Sequence, residues 1–247
     1  MNLSLWLFFF TGLFAEFIDG SLGMGYGVIS SSLLIAAGLT PVLSSATVHL
    51  SEIFVSAASG ISHLRFGNVE KRLLITLLIP GSIGALTGAF ILLNLPSQQI
   101  KPFVSIYLLI MGMIILYRSF GRISSPRAEY KAGILALFGG FFDAIGGGGW
   151  GPIVTSTLLS RGYEPSKIIG TVNLAEFFIT VVQGGVFALF VNELDFRIVL
   201  MLILGGTLAA PLAAYFCKKI PSKKLMILSG LLVIILSLRN IYLFAMK

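Results

Sequence analysis

The sequence predicts an all-α polytopic membrane protein made of two inverted structural repeats. Each repeat is a broken, re-entrant-type helical hairpin plus three transmembrane helices. Three observations carry the prediction. Of 247 residues, 56% are apolar and only 11% are charged, with a mean hydropathy of +0.97, whereas soluble domains hold roughly 45–50% apolar residues. The chain matches itself without gaps at an offset of 124 positions. Its lysines and arginines gather in one set of loops only if two segments enter the bilayer and return.

Apolar segments run at about 3 to 38, 43 to 63, 73 to 93, 102 to 118, 131 to 160, 166 to 191, 197 to 217 and 225 to 245, each long enough for the ~20 residues of a helical span. The first and fifth are interrupted by glycine runs. The longest polar connection, Arg118 to Lys131, has no room for a soluble domain. It divides the chain into a first repeat, 1–120, and a second, 131–247, within one membrane domain. The first segment lacks a positive n-region and a small-residue cleavage pattern, so it reads as a membrane segment rather than a removed signal peptide. The single cysteine, Cys217, permits no internal disulfide. The net charge of +7 fits cytoplasmic loops, where Lys and Arg accumulate, and no nucleic-acid partner is expected.

At the offset of 124, Asp19 meets Asp143, and Gly23, Gly25 and Gly27 meet Gly147, Gly149 and Gly151. Further along, Gly38 and Pro41 meet Gly162 and Pro165, while Thr47, Glu52 and Phe54 meet Thr171, Glu176 and Phe178. This is an internal repeat of four segments per half. If all eight segments cross fully, the halves are parallel, and the better orientation puts ten of the 17 Lys and Arg residues inside. If the first and fifth are hairpins, the halves are inverted and thirteen of the 17 lie in the stretches 63 to 72, 118 to 131, 161 to 167 and 218 to 224. The positive-inside rule favours the hairpins, with both chain ends outside.

The fifth segment contains Asp143-Ala-Ile-Gly-Gly-Gly-Gly-Trp-Gly-Pro152. Such a run breaks a helix, because glycine loses the most backbone entropy and proline has no N–H to donate. Irregular backbone survives at membrane depth only where protein buries it or water reaches it. The break therefore points to a site, the plainer alternative being a kink where two helices approach closely. The spans with Gly84-x-x-x-Gly88 and Gly205-Gly206 read as close-packed scaffold, and the bulky fourth and eighth as lipid-facing.

Five of the ten acidic residues, Glu16, Asp19, Glu52, Asp143 and Glu176, fall inside membrane segments, where a charge costs at least a few kcal/mol. In the second segment Ser45, His49, Glu52, Ser56 and Ser59 lie at helical spacings, and Asn173, Glu176, Thr180 and Gln183 repeat that stripe in the sixth. A polar stripe on a membrane helix faces the bundle interior or water. Ser and Thr there suit plain interhelical hydrogen bonds. Glu52 and Glu176 suit ion handling, since a structural contact needs no ionisable group. His49 is placed to hydrogen-bond Glu52 one turn along, while Asp19 and Asp143 suit either N-capping or transport. Returning half-helices starting near Val28 and Pro152 would aim free N–H groups and positive dipole ends at an anion. No Lys or Arg sits mid-span, so such an anion relies on backbone N–H groups and hydroxyls.

Phe17-Ile-Asp-Gly-Ser-Leu-Gly-Met-Gly-Tyr-Gly27, Ala46-Thr-Val-His-Leu-Ser-Glu-Ile-Phe54 and Ser59-Gly-Ile-Ser-His-Leu-Arg-Phe-Gly-Asn68 resemble the TauE/SafE sulfite exporter family. Gly146 to Pro152 and Thr171-Val-Asn-Leu-Ala-Glu-Phe-Phe178 resemble its second half. The resemblance covers nearly the whole chain. It implies a multi-pass permease of a bacterial-type inner membrane that exports small sulfur-containing anions such as sulfite or sulfonates. The first glycine block departs from the second: it alternates Gly with Leu, Met and Tyr and lacks the proline, so the site is not expected to be fully two-fold symmetric.

The candidate substrate-binding residues are Gly23, Gly25, Gly27, Ser30, Ser31, Thr47, Gly147, Gly148, Gly149, Trp150, Gly151, Thr155, Thr171 and Asn173. The candidate coupling residues are Asp19, His49, Glu52, Asp143 and Glu176. Expected partners are a small anion, membrane lipid, a coupling H+ or alternatively Na+, and, as a candidate, a second copy of the chain. No cofactor, resident metal or enzymatic activity is expected. A passive anion channel is the rival reading.

Overall fold

A computed structural model describes residues 5–120, 132–159, 164–217, 219 and 222–246. The connection expected to divide the halves, 121–131, lies outside them. The described residues form helices α1 (Leu5–Leu22), α2 (Tyr26–Ala36), α3 (Pro41–Arg65), α4 (Lys71–Asn94), α5 (Ser97–Ser119), α6 (Ala132–Gly146), α7 (Ser156–Leu159), α8 (Pro165–Phe190), α9 (Phe196–Phe216) and α10 (Ser222–Ala245), with a π-helical turn at Gly151–Thr155 leading into α7. Each of the eight expected segments is helical, and the two that carry glycine runs are each split in two. Six helices, α1, α4, α5, α8, α9 and α10, are long and apolar enough to cross a membrane. The polar stripe of α3 keeps it out of that set, although its 25 residues span about 37 Å at 1.5 Å per residue.

Local chemistry explains the boundaries. The Thr40 hydroxyl accepts from Leu43 N at 3.3 Å and Pro41 opens α3, since its fixed φ suits the first helical position. The helix closes at Gly67, φ +67°, where Asn68 N donates to His63 O at 2.8 Å and Gly67 N to Leu64 O at 3.1 Å. This paired closure requires a left-handed residue, which glycine adopts without a Cβ penalty. Gly38 closes α2 by the same bonds, Leu39 N to Leu34 O and Gly38 N to Ile35 O. On the far side, the Asp195 carboxylate caps α9 through Arg197 N and grips the exposed Arg197 guanidinium at 2.8 Å. That cation holds the Asp195 carboxyl below its usual range.

Helices from the two halves interleave. α1 lies along α9 and α6 along α4, α3 crosses both α8 and α9, and α5 pairs with α10. Glycines set these approaches. A Cβ on Gly12 would fall 2.4 Å from Leu202 O, on Gly205 2.0 Å from Phe9 O, on Gly84 1.9 Å from Leu137 O and on Gly88 2.4 Å from Phe141 O. The small-residue stripes of α4 and α9 thus do the scaffold work expected of them. The registers give direction. Gly60 meets Leu174, Ser56 meets Thr180 and Gly184 meets Ile53, so α3 and α8 run antiparallel. Gly112 meets Val233 and Gly230 meets Leu116, so α5 and α10 do too.

The exterior is a belt of large apolar side chains, among them Ile75, Ile79 and Ile83 of α4, Leu200, Leu204 and Leu208 of α9, and Leu228 and Ile235 of α10. Such a surface suits hydrocarbon and not water. The fourth and eighth segments are not wholly lipid-facing as expected. Val104, Leu108, Met111 and Ile115 of α5 are buried, as is Val233 of α10, because the two helices also cover the outside of α2 and of the second glycine tip.

Candidate functional site

The two glycine tips meet. Between α1 and α2, Gly23 and Gly25 take φ +69° and +146°; between α6 and the π-helical turn, Gly147 takes +66° and Gly148 +159°. These are conformations an L side chain rarely adopts. A Cβ on Gly148 would fall 2.2 Å from Val28 N, and one on Gly27 2.7 Å from Gly148 Cα. A Cβ on Gly151 would fall 2.4 Å from Met24 Cα. Gly27 and Gly151 are repeat partners, as are Met24 and Gly148, so the contact is reciprocal. Backbone packs on backbone in the space that sequence reasoning gave to a ligand.

Asp143 organises the second tip. Its Oδ1 accepts from Gly149 N at 2.7 Å and Trp150 N at 3.0 Å, and its Oδ2 from Gln183 Nε2 at 3.0 Å. His49 Nε2 lies 3.1 Å from the same Oδ2. His49 Nδ1 is 2.7 Å from Ser45 O, an acceptor only, so the ring hydrogen is assigned to Nδ1. The ring stacks on Phe187, centroids 5.8 Å apart. The hydrogen bond expected from His49 to Glu52 is replaced by this cross-hairpin bond. Spacing along a helix shows only local partners, and Asp143 arrives from another element.

Asp19 caps the first tip more weakly, with Oδ1 accepting from Tyr26 N at 3.3 Å. Its repeat environment differs as well. Asn173, at the position of His49, donates from Nδ2 to Ile169 O at 3.0 Å and to Asp19 O at 3.5 Å, and accepts from Ser59 Oγ at 2.7 Å. Glu16, at the position of Gly140, is buried with Oε1 unpartnered. Glu52 is likewise buried, with Oε2 unpartnered. Glu176 is buried on α8, within electrostatic range of Asp19, Glu52, Asp143 and Glu16. The five intramembrane carboxyl groups thus gather in one buried centre.

The remaining candidates divide. Ser31 Oγ donates to Gly147 O at 2.5 Å, while its repeat partner Thr155 sits beside Gly23 with Oγ1 unpartnered, as is the buried Ser30 Oγ. Trp150 is fully buried, and its Nε1 donates to Val172 O at 3.3 Å. Gly149 N is taken by Asp143. Thr47 is buried on α3. Thr171 stands apart from the tips: its hydroxyl donates to Lys167 O at 2.6 Å and accepts from Glu70 N at 2.8 Å, which ties α8 to the start of α4. Sequence reasoning missed Tyr107, whose hydroxyl donates to Gly148 O at 3.1 Å and whose ring covers Gly146. A tyrosine in an otherwise aliphatic run was the available signal. It also missed Tyr26, which donates to Ser51 Oγ at 3.1 Å beside Glu52.

Long apolar helices around a buried, ionisable centre define a multi-pass membrane protein with a transport-type core. The profile of the Sulfite exporter TauE/SafE family matches residues 8–240. Bacillus subtilis (strain 168) has a "Probable membrane transporter protein YtnM" that is 42% identical over 95% of this chain and 82% of its own length. A "Probable membrane transporter protein ORF9" of Sinorhizobium sp is 26% identical over 92% of this chain and 87% of its own. No solved structure matches. The chain belongs to the TauE/SafE family of membrane transporters.

Proposed function

We propose that the protein is a secondary transporter of the bacterial inner membrane that exports a small sulfur-containing anion, sulfite or an organosulfonate, by alternating access coupled to protons. The observation that carries the reading is the reciprocal contact of the two glycine tips beside five buried carboxyl groups. The unpartnered hydroxyls of Ser30 and Thr155 beside the tips offer donors for an anion, and the contact of the tips closes the path between the two faces. Rocking one hairpin against the other parts the tips on one side at a time. An anion next to buried carboxylates is repelled unless protons arrive with it, and Glu52 and Glu176 are the groups that supply them. Na+ held by the same carboxylates is the other coupling ion to be tested.

The direct test is flux in liposomes with sulfite, sulfonates, sulfate and chloride, under imposed pH and Na+ gradients. Saturable sulfite or sulfonate flux driven by the pH gradient is the expected result, and single-channel currents would instead establish a passive channel. Glu52→Gln and Glu176→Gln should each lower gradient-driven flux at least tenfold, about 1.4 kcal/mol, while the purified proteins remain folded. Wild-type flux in both would remove these residues from the mechanism.

The same reading makes the halves an inverted repeat with re-entrant hairpins. The antiparallel pairings of α3 with α8 and α5 with α10 support it, since each pair joins repeat-related helices. Cysteine tags near Thr40 and Asn192 should both react from outside the cell; labelling of either from the cytosol would eliminate the hairpins. A homo-oligomer is part of the proposal only in that the exposed apolar belt permits one in lipid.

A further inference from the structure

We propose that His49, Glu52 and Asp143 form a binding site for one divalent transition-metal cation of the Zn2+ class. The inference goes beyond the transport reading and does not rest on it. His49, Glu52 and Asp143 each offer a ligand atom, all within 4.8 Å of one another, and all three residues are buried. One buried oxygen of the cluster, Glu52 Oε2, lacks any partner. A buried acceptor without a donor is costly, and a cation would satisfy it.

The ligands are held as a metal needs them. The Nδ1–H of His49 donates to Ser45 O at 2.7 Å, which fixes the ring and aims Nε2 at the cluster; ligating histidines are oriented in this way. Two backbone N–H groups hold Asp143 Oδ1 and Gln183 Nε2 donates to Oδ2, which fixes the carboxylate with Oδ2 turned toward His49. Tetrahedral bonds of 2.0–2.1 Å set neighbouring donors about 3.3 Å apart, and Nε2 and Oδ2 are already 3.1 Å apart. The donor set decides the metal. One imidazole with two carboxylates suits Zn2+ or Co2+, whereas Ca2+ and Mg2+ seek six or more oxygens. The first hairpin offers no second site, because Asn173 replaces the imidazole and spends its amide on Ile169 O and Ser59. Among the described residues one ion per chain follows.

The test uses the full chain in detergent, titrated with ZnCl2 and CoCl2 by calorimetry and visible absorption. Zn2+ should bind at one ion per chain, Co2+ should show the intense visible bands of a four-coordinate ion, and millimolar Mg2+ or Ca2+ should not compete. His49→Asn, which installs the residue the second half already carries there, and the isosteric Glu52→Gln should each weaken Zn2+ binding at least about tenfold. Glu16→Gln, beside the other hairpin, should leave it unchanged. Thermal unfolding of each variant reports whether it is folded. Full affinity in both ligand variants would put the ion elsewhere and overturn the site. So would absence of binding at about 1 mM, or a six-coordinate Co2+ spectrum from the unmodified protein, a measurement that needs no variant.

Discussion

Gly148→Ala is expected to abolish transport and to destabilise the fold, whereas Gly185→Ala should do neither. The added methyl on residue 148 would lie 2.2 Å from Val28 N and 2.4 Å from Gly27 C. Both are backbone atoms of the opposing tip and cannot turn aside like a side chain. The strained φ of +159° adds to the clash, so the sum comes to about 2–5 kcal/mol. Gly185, on the exposed face of α8, has nothing within 4 Å of an added Cβ, and alanine there gains helix propensity of about 0.5–1 kcal/mol. Detergent-solubilised thermal unfolding and liposome flux, measured side by side, check both claims. A Gly148→Ala protein with ordinary flux would show that transport does not need the close contact of the tips.

The second large effect is an asymmetry between two residues that the repeat makes equivalent. Asp143→Ala removes the acceptor of two backbone N–H groups, of Gln183 and of His49, leaving buried donors unpaired. Breaking such a set costs about 3–5 kcal/mol. Asp19→Ala removes one cap bond of 3.3 Å, worth about 1 kcal/mol. Unfolding of the two variants should therefore differ by a wide margin. Equal losses would mean that the hydrogen bonds around Asp143 carry no more weight than the single bond at Asp19.

How far the sequence reads follows from the range of each interaction. Helix positions were legible because lipid demands a run of apolar residues, and each helix falls within a few residues of its apolar segment. The breaks were legible because glycine and proline act locally; so were the polar faces of α3 and α8, which follow from helical spacing. What joins the elements was not legible. The bond from His49 to Asp143 spans 94 residues, and neither side chain announces the other. The 124-residue offset likewise paired the two glycine blocks but said nothing of Gly148 resting on Val28. The role of Tyr107 depends on α5 passing behind the second tip, a matter of packing that no window of sequence contains. The two caps also look equal in sequence, and only the partners around Asp143, absent around Asp19, separate them.

The interleaving of the halves sets a timetable for biogenesis. α1 rests on α9, and Ser21 donates to Ala213 O across 192 residues of chain. A ribosome adding roughly 5–20 residues per second needs roughly 10 to 40 seconds to make that partner. For that interval Glu16 and Asp19 sit in a nascent chain whose covering helix has not been synthesised, so α1 waits for α9 before it is sealed.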